Sequence, residues 1–281
     1  TMGRRRWHLI PVLAIAPHLT LARVGYVEGQ HINLNAFAAL DASGTITTWG
    51  DPLRGGSGAP TGSGYVRIFS TGFAFAALDN NGTIASWGHS AHGGTNAPTG
   101  SGYVRLFSTG FAFASLDANG AITSWGFSAY GGRGAPSGTG YASIYSTNGA
   151  FAALDAAGAI TAWGDSANGG SGAPSGSGYV RIFSTSSAFA ALDAAGAISV
   201  WGASGTGGSG APSGAGYVSI YSTSGAFAAL DASGVITAWG DTSYGGSLAP
   251  TGTSYVDIFS TKRAFAALDA SGSIAAWGHP L

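Results

Sequence analysis

One spacing governs this chain. Trp49, Trp87, Trp125, Trp163, Trp201, Trp239 and Trp277 follow one another at intervals of 38 residues, each with a glycine directly after it. Phe37 and Asp41 open two further series at the same interval, and no insertion interrupts either series. A strict period of this length means that one supersecondary unit is copied and stacked, because a single unit cannot bury its own apolar surface.

Each unit reads as short strands. In the second unit these are residues 65–70 (YVRIFS), 74–78 (AFAAL) and 83–87 (TIASW), rich in aromatic and β-branched residues. Between the last two lies Asp79-Asn80-Asn81-Gly82. Its carboxylate can accept the N–H groups of a turn and its glycine can supply a positive φ, so it predicts a hairpin. Ile84 and Trp87 stand three apart, as do Phe75 and Leu78, so each pair points to opposite faces of its strand. Strands that are apolar on both faces belong to sheets sandwiched between other sheets. Radially stacked blades satisfy this, and one unit has the length of one blade. Helical repeats are excluded by the 49 glycines and by the lack of a 3.6-residue period. The prediction is an all-β, seven-bladed β-propeller over residues 24–281. Its alanines allow close approach, and its seven tryptophans fill the spaces between blades.

Composition narrows the function. Charged residues are 8% of the chain, against about 25% in ordinary globular proteins. With 45% hydrophobic residues this describes a folded, weakly charged object rather than a disordered one. Weak colloidal repulsion suits a protein docked to something. Four of the 11 basic residues (Arg4, Arg5, Arg6 and Arg23) precede the repeats, and the remainder form no basic stripe, so nucleic acid is not an expected partner. There is no cysteine, hence no disulfide and no thiolate metal site. No apolar run reaches the ~20 residues that a membrane-spanning helix needs.

Residues 1–23 form an N-terminal arm with two readings. Arg4-Arg5-Arg6 followed by residues 9–16 (LIPVLAIA) resembles the start of a secretory signal, although Pro11 and Pro17 interrupt that pattern. Alternatively, Ala16-Pro17 and Gly25-Tyr26-Val27 echo Ala59-Pro60 and Gly64-Tyr65-Val66. On this reading residues 9–27 pair with the C-terminal unit and close the ring.

The recurring pattern AL-D-x-x-G-x-I-x-x-WG, then Gly-Gly, Ala-Pro and Tyr-Val-x-Ile, resembles the regulator of chromosome condensation repeat family over roughly residues 24–281. It looks closest to the bacterial branch, which includes β-lactamase inhibitory protein II. The resemblance implies a seven-bladed propeller that binds proteins through one face of the ring and has no catalytic triad. Inhibitor-like repeats carry an aromatic residue just before the AL strand. Here Phe73 and Phe111 match that position, whereas Gly149, Ser187, Gly225 and Arg263 do not.

Catalysis and metal binding find little support in the residues. Each repeated Asp offers one carboxylate where calcium needs six to eight oxygens, and turn capping accounts for the series. His89 and His92 form a short HSAH motif with no third ligand nearby. Repetition of Ser and Asp at structural positions argues against a triad, and no glycine-rich stretch leads to Gly-Lys-Ser/Thr. No cofactor or metal is expected, a small-molecule ligand is not favoured, and the chain is not read as an enzyme.

Function should sit where the repeats differ. Two loop positions vary. The loop after Trp-Gly supplies Arg54, His92, Tyr130 and Tyr244, and the loop before AFAAL supplies Phe73, Phe111, Lys262 and Arg263. Aromatic and arginine side chains at such places are common interface anchors. The expectation is a non-catalytic scaffold or adaptor that binds another protein or assembly subunits, extracellular or on a cell or virion surface, with a cytoplasmic setting left open. The alternatives are an inhibitor or exchange factor for one target, and a lectin-like propeller with repeated sugar sites.

Overall fold

The repeated Asp builds the hairpin that starts each unit's packing. In the computed structural model, which describes residues 31–279, Asp79 Oδ1 accepts the N–H groups of Asn81 (2.9 Å) and Thr83 (2.7 Å). Gly82 closes the turn at φ 75°. Asp41, Asp117, Asp155, Asp193, Asp231 and Asp269 repeat the arrangement. The turn sets the register, so that Leu78 faces Ile84 and Phe75 faces Trp87 across the strands.

The result is seven antiparallel sheets, here called blades 1 to 7. Blade 2 comprises Tyr65–Ser70, Ala74–Asp79 and Ile84–Gly88, with the Ala74–Asp79 strand in the middle. Blades 3 to 7 repeat this order at the period of the sequence, ending with Tyr255–Ser260, Ala264–Asp269 and Ile274–Gly278. Blade 1 has two strands among the described residues, Ala36–Leu40 and Ile46–Gly50. The pairing proposed for residues 9–27, and the arm itself, lie outside the described residues. Blade 7 takes all three of its strands from residues 255–278.

Neighbouring blades pack by one rule. One face of a blade carries two alanines, a leucine and an isoleucine, as Ala74, Ala76, Leu78 and Ile84 do in blade 2. The other face carries phenylalanine, alanine and tryptophan, and the first face packs on this second face of the following blade. Thus blade 2 packs on Phe113 and Trp125 of blade 3. The scheme recurs at six interfaces. The alanines Ala74, Ala76, Ala112, Ala114, Ala150 and Ala152 are wholly inaccessible, which is why nothing larger stands in those positions. Each Phe stacks on the Trp opposite it, for example Phe113 on Trp125 with ring centroids 5.2 Å apart.

The tryptophan also holds the preceding loop. Trp125 Nε1 donates to Gly93 O at 3.1 Å, and five other tryptophans make the equivalent bond. Gly93 has φ 95° and lies so close to Phe113 that a Cβ there would come within 2.6 Å of the ring. Six tryptophans therefore do the packing expected of them. Trp49 does not. It is 46% exposed and stacks on Phe37, itself 57% exposed, because no described blade packs on that face of blade 1.

Candidate functional site

The loop after each Trp-Gly forms a single 3₁₀ turn, such as Ser90–His92. Two hydrogen bonds bring the end of that turn beside the loop before the blade's middle strand. His89 N–H donates to Phe73 O (3.0 Å), and the Thr71 hydroxyl donates to His92 O (3.2 Å). The same threonine accepts the Ala74 N–H at 3.0 Å. Thr109, Thr147, Thr185 and Thr223 repeat the link. The two variable loops, far apart in the unit, thus become neighbours in every blade from 2 to 6.

They interleave into one row in which sequence position advances by 19, half a repeat. Arg54 donates to Asn35 Oδ1 at 2.8 Å and lies over the Phe73 ring at 5.4 Å. Phe73 packs on His92 with centroids 4.6 Å apart, His92 on Phe111 at 5.5 Å, and Phe111 on Tyr130 at 4.6 Å. Phe73 and Phe111 also stack on each other at 5.5 Å. Beyond Tyr130 the row turns small. A Cβ at Gly149 would come within 2.7 Å of Tyr130 and 3.0 Å of Asn168, and Ser187, Thr206 and Gly225 follow in phase. Bulk returns with Tyr244, and Arg263 lies over its ring at 5.4 Å.

Seven of the eight candidate anchors therefore fall on one row: Arg54, Phe73, His92, Phe111, Tyr130, Tyr244 and Arg263. Lys262 does not. Its backbone ends a chain of inter-blade hydrogen bonds that runs through Gly72, Gly110, Asn148, Ser186 and Ser224, and the residue lines a cavity of about 430 Å³. That cavity is walled largely by the serines and threonines that end the blades' first strands, with Arg181 and His31 on its lining. His31 enters it by donating its N–H to Ser108 Oγ (3.1 Å) and its Nε2–H to Thr147 O (3.1 Å). Enclosure holds the His31 imidazole below its ordinary value, and the bond to Thr147 offsets part of that effect.

Two further residues join the row. Phe127, 40% exposed, stacks on Tyr130 at 5.5 Å and meets His92 at 5.7 Å. His89 sits edge-on to Phe73 at 6.4 Å, and its Nδ1 lies 2.9 Å from His92 Nδ1. One of these nitrogens donates and the other accepts. Burial first, and His89 second, keep His92 below the usual imidazole value. Among the described residues no group of three or more metal-binding side chains converges. The row is a half-buried stack of rings, chemically suited to apolar and cation–π contact.

No protein-family model matches the chain, and no curated protein matches it by sequence. By structure it is similar to the entire ectodomain of the receptor kinase CR4 from Physcomitrella patens. The TM-score is 0.52 at 19% identity, over 89% of this chain and 72% of that one. It is also similar to the CRINKLY WD40 ectodomain of the Arabidopsis thaliana receptor kinase ACR4, with a TM-score of 0.50 at 16% identity, over 86% of this chain and 90% of that one. These likenesses are of fold alone. Together with the blade geometry they define the class, an all-β propeller of seven repeated sheets. Within that class the chain is similar to the regulator of chromosome condensation type in its repeat pattern, and Prp20p from Saccharomyces cerevisiae, whose structure is described together with its binding properties to Gsp1p and histones, is among the structures it matches (TM-score 0.48, 15% identity, 74% of this chain and 70% of that one).

Proposed function

We propose that this propeller is a non-catalytic scaffold that binds another protein through the row from Arg54 to Tyr130. The supporting observation is the continuity of the stack. Five side chains from alternating loops touch in sequence, with Phe127 and His89 beside them, on a protein otherwise covered in Gly, Ser and Pro loops. Rings already packed on one another lose little rotamer freedom when a partner covers them, which makes them efficient anchors. The low charge of the chain fits a subunit of a larger assembly on a cell or virion surface.

Alanine replacement of Phe73, Phe111 and Tyr130 tests the reading, with affinity capture and titration of the recovered partner. Each single change is expected to weaken binding about 30-fold, the effect of an anchor worth about 2 kcal/mol. Val104, exposed at the start of blade 3's first strand, beside the Asp117 hairpin and at the opposite end from the row, serves as a control that should leave binding intact. Binding unaffected by all three changes, or glycan-array binding that survives them, would overturn it.

A further inference from the structure

Acid and base are sorted to different places in this fold. Seven aspartates cap the hairpin turns, and Asp51, Asp165 and Asp241 cap 3₁₀ turns. The third position of the first strand in blades 2 to 7 runs the other way. It holds Arg67, Arg105 and Arg181 in blades 2, 3 and 5, serine in blades 4 and 6, and Asp257 in blade 7. The first strands of successive blades lie beside one another, which brings this phase of the repeat together. Asp257 is already engaged, since its carboxylate accepts the Tyr221 hydroxyl at 2.7 Å and the Ile258 N–H at 2.8 Å.

The cavity of about 430 Å³ lies among the ends of these strands in blades 4 to 7. Two cations line it, Arg181 and Lys262, and among the described residues no carboxylate does. Neither cation has an ion-pair partner among the described residues, and the Arg181 guanidinium lies over the Phe183 ring at 4.9 Å. A second hollow of about 170 Å³ shares Ser146 and Ser184 with the first. Arg105 lines it, posed in the same way over Phe107 at 4.9 Å. Ser146, in the shared wall, is 6% exposed, and its hydroxyl has no hydrogen-bond partner among the described residues. A buried hydroxyl without a partner destabilises the folded chain unless a bound group supplies one.

We propose that the larger cavity binds a small phosphate-bearing ligand, either the free anion or its monoester on a hydroxylated body the size of a sugar. Two unpaired cations match the nearly two negative charges of a phosphate monoester at neutral pH. The planar guanidinium of Arg181 can donate two parallel hydrogen bonds to phosphate oxygens, and Lys262 adds a flexible point charge. The serine and threonine hydroxyls of the wall can each donate and accept, which suits a polyol beside the phosphate. The volume lies in the range of roughly 300–1,000 Å³ found for small-ligand pockets. Arg181 and Lys262 stand in different phases of the repeat, so the fold brings them to one wall and composition gave no sign of it. The cavity is separate from the row from Arg54 to Tyr130, so the two readings stand or fall independently.

Isothermal titration calorimetry of the 281-residue chain at neutral pH tests this with three probes: glucose 6-phosphate, inorganic phosphate and glucose. Glucose 6-phosphate should bind one to one and glucose should give no heat. Inorganic phosphate binding as tightly as the ester would assign the site to the free anion, and weaker binding would assign it to the monoester. Arg181→Gln and Lys262→Gln should each weaken glucose 6-phosphate binding at least tenfold. Both side chains are exposed, so the fold tolerates the changes. Arg133→Gln removes the same charge from an exposed loop that does not line the cavity, and should leave binding unchanged. No heat from either phosphate probe would overturn the proposal, as would glucose binding as tightly as its phosphate, or Arg133→Gln weakening binding as much as Arg181→Gln does.

Discussion

Trp163 and Trp49 occupy the same phase of the repeat in different surroundings. Trp163 is 4% exposed, stacks on Phe151 at 5.1 Å and donates to Gly131 O at 3.1 Å. Trp163→Ala should therefore cost about 3–5 kcal/mol in urea denaturation. Trp49→Ala should cost less than about 1 kcal/mol, because nearly half of its surface already meets water. Two histidines make stability depend on pH at this scale. His31 and His92 both have values held below the ordinary 6.5 in the folded chain. The unfolded chain thus binds more protons as pH falls through 6.5, and stability is lost with acidification across the window between the folded values and 6.5. Urea midpoints should drop between about pH 8 and pH 5, and His31→Gln should flatten that profile. A flat wild-type profile would contradict the assignment.

At the scale of the element, the 3₁₀ turn and its glycine matter most. Gly131 has φ 92°, and a Cβ there would lie 2.6 Å from Phe151, whereas Gly138 has φ 104° and open space around it. Gly131→Ala adds a collision to the backbone strain that both substitutions share, so its melting temperature should fall clearly further than that of Gly138→Ala. The same turns show how far the site could be read in advance. The variable positions were visible because repetition made exceptions stand out. Their meeting was not visible, since it depends on the Thr71 hydroxyl reaching His92 O and on its copies in the other blades. The only trace in the sequence is the offset of 19 residues, half a repeat, between the two loops. That offset also shows why matching one loop position alone undercounted the aromatics: Phe73 and Phe111 belong to one loop, while His92, Phe127 and Tyr130 come from the other. Lys262 varied like the others but sits one residue off the row, lining the cavity beside the inter-blade hydrogen bonds.

At the scale of the molecule, one interface is repeated between six pairs of neighbouring blades. Blade architecture follows from the sequence alone, because it rests on local chemistry repeated in phase. An Asp-x-x-Gly hairpin, strands apolar on both faces, and a Phe facing a Trp leave one way to stack. The number of units, the roles of six tryptophans and the turn-capping role of seven aspartates are all of this kind. Tertiary structure decided the rest. It placed Arg54, Phe73, His92, Phe111 and Tyr130 in one stack, and among the described residues it buried Phe75 and Trp87 while Phe37 and Trp49, in the same phases, stay exposed. A repeated sequence specifies the interface between neighbours equally well at every position. Only the path of the whole chain decides which loops converge.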